Sequence, residues 1–360
     1  MVKPIKIFDP VISQNEEFAI KKVLQSHQWA LGNGNGLVSK FEKKFNQLIG
    51  SSSCVAVDSG TSAINLALSA IGVKDKEVIL PSLCYVSVAH AVILNGGIPI
   101  FADIDPVTLC ITMDSIKQKY SKKTKVIIPV HFAGMPCNLT EINKFSKKHN
   151  LEIIEDACLA LGSTYKGKNI GTHNSFVCFS FHPVKNLAMP KGGAITINKK
   201  NHLRLSKILK SKRWCGISDK TVFSDNIDEI GLNNYMNEFS AAIGLEQLKK
   251  PNSMIIKRKL IAKTYSEEII LETKMPFDKN CSYNFYWILT KNRNNLIKKL
   301  QENKIECGTY HTPIHTIQRY KNGKLPITEK ISNELVCLPN HPNLDHKDVK
   351  KIINVVNQFS

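Results

Sequence analysis

Between Cys54 and Asn198, short and nearly continuous apolar runs alternate with stretches in which apolar residues recur every three or four positions. The runs predict strands at Cys54–Asp58, Val78–Leu80, Pro99–Asp103, Val126–His131, Leu151–Asp156, Phe176–Phe181 and Ala194–Asn198. The periodic stretches predict helices at Thr61–Ile71, Ser87–Asn95, Met113–Lys119 and Leu139–His149. Strands without polar alternation belong in a sheet covered on both faces. Their alternation with helices predicts an α/β unit with a mainly parallel seven-stranded sheet, its chemistry in loops at the carboxyl ends of the strands.

Upstream, Asn15–His27 and Phe41–Leu48 read as helices, and Gly32-Asn33-Gly34-Asn35-Gly36 between them must be a loop. The pattern changes after Asn198. Residues 201–214 and 237–270 read mostly as helix, followed by a strand at Tyr283–Thr290 and a helix at Arg293–Asn303. The expected division is an N-terminal arm and large domain over residues 1–250 and a smaller α+β domain over 251–360, starting near Pro251.

Composition narrows the function classes. The 360 residues suffice for one large and one small domain, and 42% apolar content is ordinary for a globular protein. No run of eighteen apolar residues occurs, so no membrane span is expected. Met1-Val2-Lys3-Pro4-Ile5-Lys6 leads into fold-like sequence without the apolar stretch of a secretory leader. Ten cysteines are scattered singly, with no CxxC pair to suggest zinc or a disulfide framework, and reduced thiols point to the cytoplasm. The formal charge of +19 suits nucleic acid or an anionic surface, but the lysines are spread over the whole length. A solvated lysine-rich surface is therefore the expectation, with a positive field that draws in phosphate-bearing substrates.

Four clusters carry candidate chemistry, each at a predicted strand end. Asp58-Ser59-Gly60-Thr61-Ser62-Ala63 joins a strand to a helix, so its free N–H groups and dipole suit a phosphate, with Thr61 adding a hydroxyl. An ordinary N-cap would read the same way. Tyr85, in Pro81-Ser82-Leu83-Cys84-Tyr85, offers a face on which a cofactor ring can stack, or is a core or turn tyrosine. Glu155-Asp156 closes the apolar run Leu151–Ile154, where a carboxylate is costly without a positive partner. The other reading is a surface acid. Lys185 follows Ser180 by five residues, among Phe179, Phe181, Pro183 and Leu187, whose bulk implies partial burial and a depressed pKa. A lysine beside a hydroxyl, with a buried acid on another strand end, is what pyridoxal phosphate needs. The amine condenses with the aldehyde, and the acid keeps the pyridine nitrogen protonated.

The order and spacing of these clusters resemble the DegT family of sugar-nucleotide aminotransferases, fold-type I pyridoxal phosphate enzymes, along nearly the whole chain. Pro129-Val130-His131-Phe132-Ala133-Gly134, Tyr165-Lys166-Gly167-Lys168 and Arg213-Trp214-Cys215-Gly216-Ile217 belong to the same pattern. So do Ala241-Ala242-Ile243-Gly244-Leu245 and Leu338-Pro339-Asn340-His341-Pro342. The resemblance implies that Lys185 binds pyridoxal 5'-phosphate covalently, Asp156 holds its pyridine nitrogen, Tyr85 stacks on the ring, and Gly60, Thr61 and Ser180 bind the phosphate. It implies a homodimer with shared active sites, in which Asn233 reaches the neighbouring subunit's cofactor phosphate. Trp29 and His315 lie in segments that resemble substrate-facing ones, or are a core tryptophan and a surface histidine. The implied reaction gives a nucleotide-linked keto sugar an amino group, with glutamate as donor. Members that are dehydratases carry histidine in place of this lysine, so Lys185 argues against that branch.

Several positions depart from the family pattern. Leu159 stands where a Gln or His usually contacts the cofactor. Lys191, in Pro190-Lys191-Gly192-Gly193, replaces an acidic residue. Tyr235 stands in place of Arg or His, and Ser240 in place of Gln. These changes suggest altered substrate choice. With the charge of +19, they also motivate an alternative: a catalytically inactive, cofactor-retaining paralogue with a regulatory or nucleic-acid-binding role.

Overall fold

The computed structural model describes residues 4–32, 34–221 and 223–359. Asn33 of the glycine-rich loop lies outside the described residues, and its neighbours Gly32 and Gly34–Gly36 form turns before the helix Leu37–Ile49.

Seven strands build the central sheet: β1 (Ser53–Val57), β2 (Glu77–Pro81), β3 (Ile98–Ala102), β4 (Thr124–Ile127), β5 (Glu152–Asp156), β6 (Phe176–Ser180) and β7 (Gly193–Ile197). Their spatial order is β1-β7-β6-β5-β4-β2-β3. The β3–β2, β2–β4, β4–β5 and β5–β6 pairs are parallel, while β7 runs antiparallel to both β6 and β1. The carboxyl ends of β1, β2, β5 and β6 therefore share one edge with the amino end of β7. That edge gathers Ser59–Thr61, Ser82–Tyr85, Asp156, Ser180 and Gly192–Gly193.

Both faces are covered, and the two-residue period of a strand divides the side chains between them. Val55, Val57, Val78, Leu80, Val126, Ile154, Phe176 and Cys178 enter the core on the side of the helix Gly60–Ile71. Ala56, Ile79, Ile127, Ile153, Val177 and Phe179 enter the other core, with the helix Leu37–Ile49. That second helix buries Val38, Phe41, Phe45 and Ile49, a helical stripe, and Phe45 meets Phe179 and Phe181 edge-on at 5.2 and 5.1 Å. With Phe179 and Phe181 fixed on that side, Ser180 must point to the opposite one.

The helix expected over 237–270 is two helices, Glu238–Gln247 and Pro251–Glu268. Pro251 supplies no N–H and excludes helical backbone at the residue before it, so the chain breaks at Leu248–Lys250. Pro129 likewise ends β4 at Ile127 rather than His131. The strand expected from Tyr283 begins at Tyr286, because Tyr283 sits in the left-handed region (φ 51°). Tyr286–Leu289 pairs antiparallel with Leu335–Leu338 in the C-terminal segment, packed with the helices Arg293–Glu302 and His346–Asn357. Ile5 of the N-terminal arm bridges to Ile305, tying the arm to this segment. A division into 1–250 and 251–360, at the first residue of the helix Pro251–Glu268, remains our proposal.

Gly193 sits where β7 meets the turn after β1, and a Cβ there would lie 2.4 Å from the Ser59 carbonyl carbon and oxygen. Gly193→Ala is expected to cost about 1–3 kcal/mol through backbone displacement. It should lower the thermal unfolding midpoint and weaken cofactor retention on dialysis. An unchanged midpoint would show that the turn has slack.

Candidate active site

The shared sheet edge forms the floor of a cavity of about 430 Å³ that brings together Gly60, Thr61, Tyr85, Asp156, Ser180 and Lys185. A larger open groove of about 1000 Å³, bordered by Thr108–Lys117 and Asn138–Lys148, holds none of these groups.

The helix Gly60–Ile71 opens on one wall. Its N-cap is Ser59, whose Oγ accepts from the Ser62 N–H at 3.1 Å, so Gly60 and Thr61 occupy the first turn, where N–H groups lack intrahelical acceptors. A side chain at Gly60 would come within 2.8 Å of Cys158 Sγ and of Ser180 Cβ, so only glycine keeps this helix start against the end of β6. Asp58, just before the turn, accepts from Ser62 Oγ at 2.5 Å and pairs with Lys191 Nζ at 2.7 Å.

Asp156 ends β5 and is 5% exposed. Its Oδ1 accepts from the Cys158 N–H at 3.0 Å, the Cys158 thiol lies against the same carboxylate, and no cation pairs with it among the described residues. One position earlier, Glu155 points to the other face and is fully buried. His131 Nδ1 accepts the Cys137 N–H at 3.0 Å, so Nε2 carries the proton and donates to Glu155 at 2.9 Å. Asn174 completes Glu155 at 2.8 Å, and the His131 N–H donates to the Asp156 carbonyl at 3.1 Å. His131 thus braces the strand end that presents Asp156. Its place in the Pro129–Gly134 motif was visible in sequence, but this role was not.

Lys185 is half-buried and makes no salt bridge among the described residues. Burial lowers its pKa, opposed by the negative ends of Cys158 and Asp156. Its loop is held from the C-terminal segment: Asn284 Nδ2 donates to the Val184 carbonyl at 3.0 Å and to Asn186 Oδ1 at 3.2 Å. Tyr85 stands at the mouth, 60% exposed. Leu159 also lines the cavity, an apolar patch in its wall.

Three expected residues lie elsewhere. His315 is neither substrate-facing nor on the surface. It is 2% exposed, with Nδ1 2.6 Å from Ser82 Oγ and Nε2 3.1 Å from Glu329 Oε1, so both ring nitrogens are engaged. Trp29 is not in the core. It is half exposed, outside this cavity, and donates to the Leu24 carbonyl at 3.3 Å. Asn233 is exposed and outside its own chain's cavity.

Sequence reasoning missed His311 altogether. It lines the cavity, and burial together with the charge of Lys185 lowers its pKa to about 4.

These groups fit pyridoxal phosphate. The Asp156 carboxylate, without a cationic partner among the described residues, can meet a pyridinium N–H, the glycine-led helix start suits a phosphate, and Lys185 is an unpaired amine. Fold and site define the class: a pyridoxal phosphate enzyme on a mainly parallel seven-stranded sheet, with all seven predicted strands present. The family model of the DegT/DnrJ/EryC1/StrS aminotransferase family matches residues 10–357, and the chain belongs to that family. It is an aminotransferase that uses pyridoxal phosphate. It is 32% identical to the GDP-perosamine synthase of Escherichia coli O157:H7, over 99% of each chain, and 27% identical to that of Vibrio cholerae, again over 99% of each. The Helicobacter pylori aminotransferase PseC, involved in the biosynthesis of pseudoaminic acid, superposes with a TM-score of 0.92 at 27% identity, covering 99% of each chain. Among the described residues no helix is long and apolar enough to cross a membrane.

A depressed histidine pKa means that the folded state binds the proton less readily than the unfolded chain. The stability His311 confers is full above about 6.5 and is lost as pH falls towards about 4. Unfolding free energy of the cofactor-free protein, measured by urea titration across that window, should fall less steeply in His311→Phe than in wild type. Equal slopes would place His311 in open solvent.

Proposed function

We propose that this protein transfers an amino group to a keto sugar carried on a nucleotide, with glutamate as donor. The observation that carries the reading is the convergence of Lys185, Asp156, Ser180 and the Gly60 helix start in one cavity. The sugar class is supported by relatives alike in sequence over their whole length, and GDP-perosamine is the first product to test.

The bound cofactor supplies a ring that takes up the electron pair left when a C–H bond beside nitrogen breaks. Gly60, Thr61 and Ser180 bind the phosphate and fix the ring's position. The Asp156 carboxylate would hold a positive N–H at the far end of the ring. Tyr85 covers one ring face. Lys185 Nζ holds the cofactor at rest. With the cofactor bound, the same amine would take the proton from the donor's α-carbon and, in the return half, give a proton to the sugar carbon that keeps the amine. A lowered pKa makes this amine the better base at neutral pH.

The partner we assign is a second copy of the chain. Ile230 and Leu232 are exposed apolar residues beside the exposed Asn233 in the chain, which we assign to the partner's phosphate site. All ten cysteines are free, which favours a reducing cytoplasm. No observation favours an inactive paralogue. Lys191, which motivated it, is tied to Asp58 and leaves Lys185 and Asp156 in place.

Screening nucleotide-linked keto sugars with glutamate, and following the amino product, tests the whole reading; no product from any of them sinks it. Lys185→Ala should abolish turnover while cofactor remains bound non-covalently. Asp156→Asn should slow turnover about a hundredfold, because a neutral amide does not hold the ring positive. Near-normal rates in either variant contradict these roles. Mixing Lys185→Ala with Asn233→Asp protein should restore part of the activity, since hybrid dimers contain one intact site. Mixtures no better than the separate variants would place Asn233 outside the shared site.

A further inference from the structure

His311 is held in the cavity wall by packing. Its ring lies edge-on to Tyr85 at 5.6 Å and tilted against Tyr310 at 5.4 Å. The segment behind it is clasped to the loop after β2. Ser82 Oγ accepts the His315 N–H at 3.1 Å, and the Ile314 N–H donates to the Ser82 carbonyl at 3.0 Å. That loop also carries Tyr85, so the two rings are set from one anchor.

Both ring nitrogens of His131 and of His315 are engaged within the protein. Neither ring nitrogen of His311 has a hydrogen-bond partner among the described residues, although the ring lines the cavity beside Lys185. A polar group in such a place is satisfied by what enters the site.

Resting on the functional reading above, we propose that His311 binds the sugar: its imidazole hydrogen-bonds a hydroxyl of the substrate hexose and holds the carbon to be aminated over Lys185. The chemistry separates sugar from donor. An uncharged imidazole offers one donor and one acceptor, which matches a hydroxyl. The carboxylates of glutamate call for cationic partners instead. His311 remains neutral at physiological pH, which suits the first task and not the second. Its distance from neutrality also makes it a poor proton carrier, leaving that work to Lys185.

The test uses cofactor-loaded protein and two amines in single turnover, each followed by bleaching of the bound cofactor's yellow colour. One amine is L-glutamate, and the other is GDP-perosamine, which drives the sugar half-reaction backwards. His311→Phe keeps the ring contacts with Tyr85 and Tyr310 and removes both nitrogens. It should raise the GDP-perosamine concentration for half-maximal bleaching about tenfold, the loss of one hydrogen bond. The glutamate half-reaction should stay within about twofold of wild type by the same reasoning, and His311→Gln should recover part of the sugar affinity. Equal losses with both amines, or an unchanged response to GDP-perosamine, overturn the assignment alone. If GDP-perosamine is inert towards wild type, the same comparison is made with whichever amino-sugar nucleotide bleaches it. A wild-type protein bleached by glutamate and by no amino-sugar nucleotide overturns the functional reading and this inference together.

Discussion

Asp156 and Ser180 face the same way because each lies an even number of residues from a buried apolar neighbour on its strand. Ile154 and Asp156 share one side of β5, as Phe176, Cys178 and Ser180 share one side of β6. A one-residue slip in either strand would send the carboxylate or the hydroxyl into the opposite core. The register is pinned from that opposite side, by Phe179 and Phe181 against Phe45 and by Glu155 against His131. The packing that stabilises the large unit is thus what aims its chemistry.

Burying two adjacent carboxylates is expensive, and the structure meets the cost differently for each. Glu155 is satisfied internally by His131 and Asn174, both fixed before any ligand arrives. Asp156 has only the N–H and the weakly donating thiol of Cys158. The incomplete member is the one at the cavity, where a positive N–H from a ligand gains most from a desolvated anion. The same contrast separates the histidines: His131 and His315 are saturated and brace the backbone, whereas His311 is not and faces the cavity.

The seven strands were legible because each is a short apolar run closed by small or turn-forming residues, a pattern a two-sided sheet imposes on sequence. Gly60, Thr61, Asp156, Ser180 and Lys185 were legible because strand ends and a helix start are local features. His315 and His311 were not, because their meaning depends on contacts more than two hundred residues away. Ser82 lies across the fold from His315 in sequence and 2.6 Å from it in space. No local spacing distinguishes a clasp histidine from a cavity histidine four residues earlier. Trp29 was misread for a related reason: half of its surface is uncovered, and nothing local in sequence separates a half-exposed tryptophan from one in a core.

The departures from the family pattern take on a physical sense once placed. Lys191 reverses a charge beside the Gly60 helix start, yet its amine pairs with Asp58, the carboxylate that precedes that start. An unscreened Asp58 would repel a phosphate at that N-terminus, so the lysine offsets a neighbour rather than adding a free cation. Leu159 removes a hydrogen bond from the cavity wall and leaves an apolar surface beside Cys158. The polar groups left in the wall are Asp156, at the end of β5, and the Gly60–Thr61 helix start. Both departures thus lie in loops at the sheet edge, Leu159 after β5 and Lys191 before β7, and leave the strands unaltered.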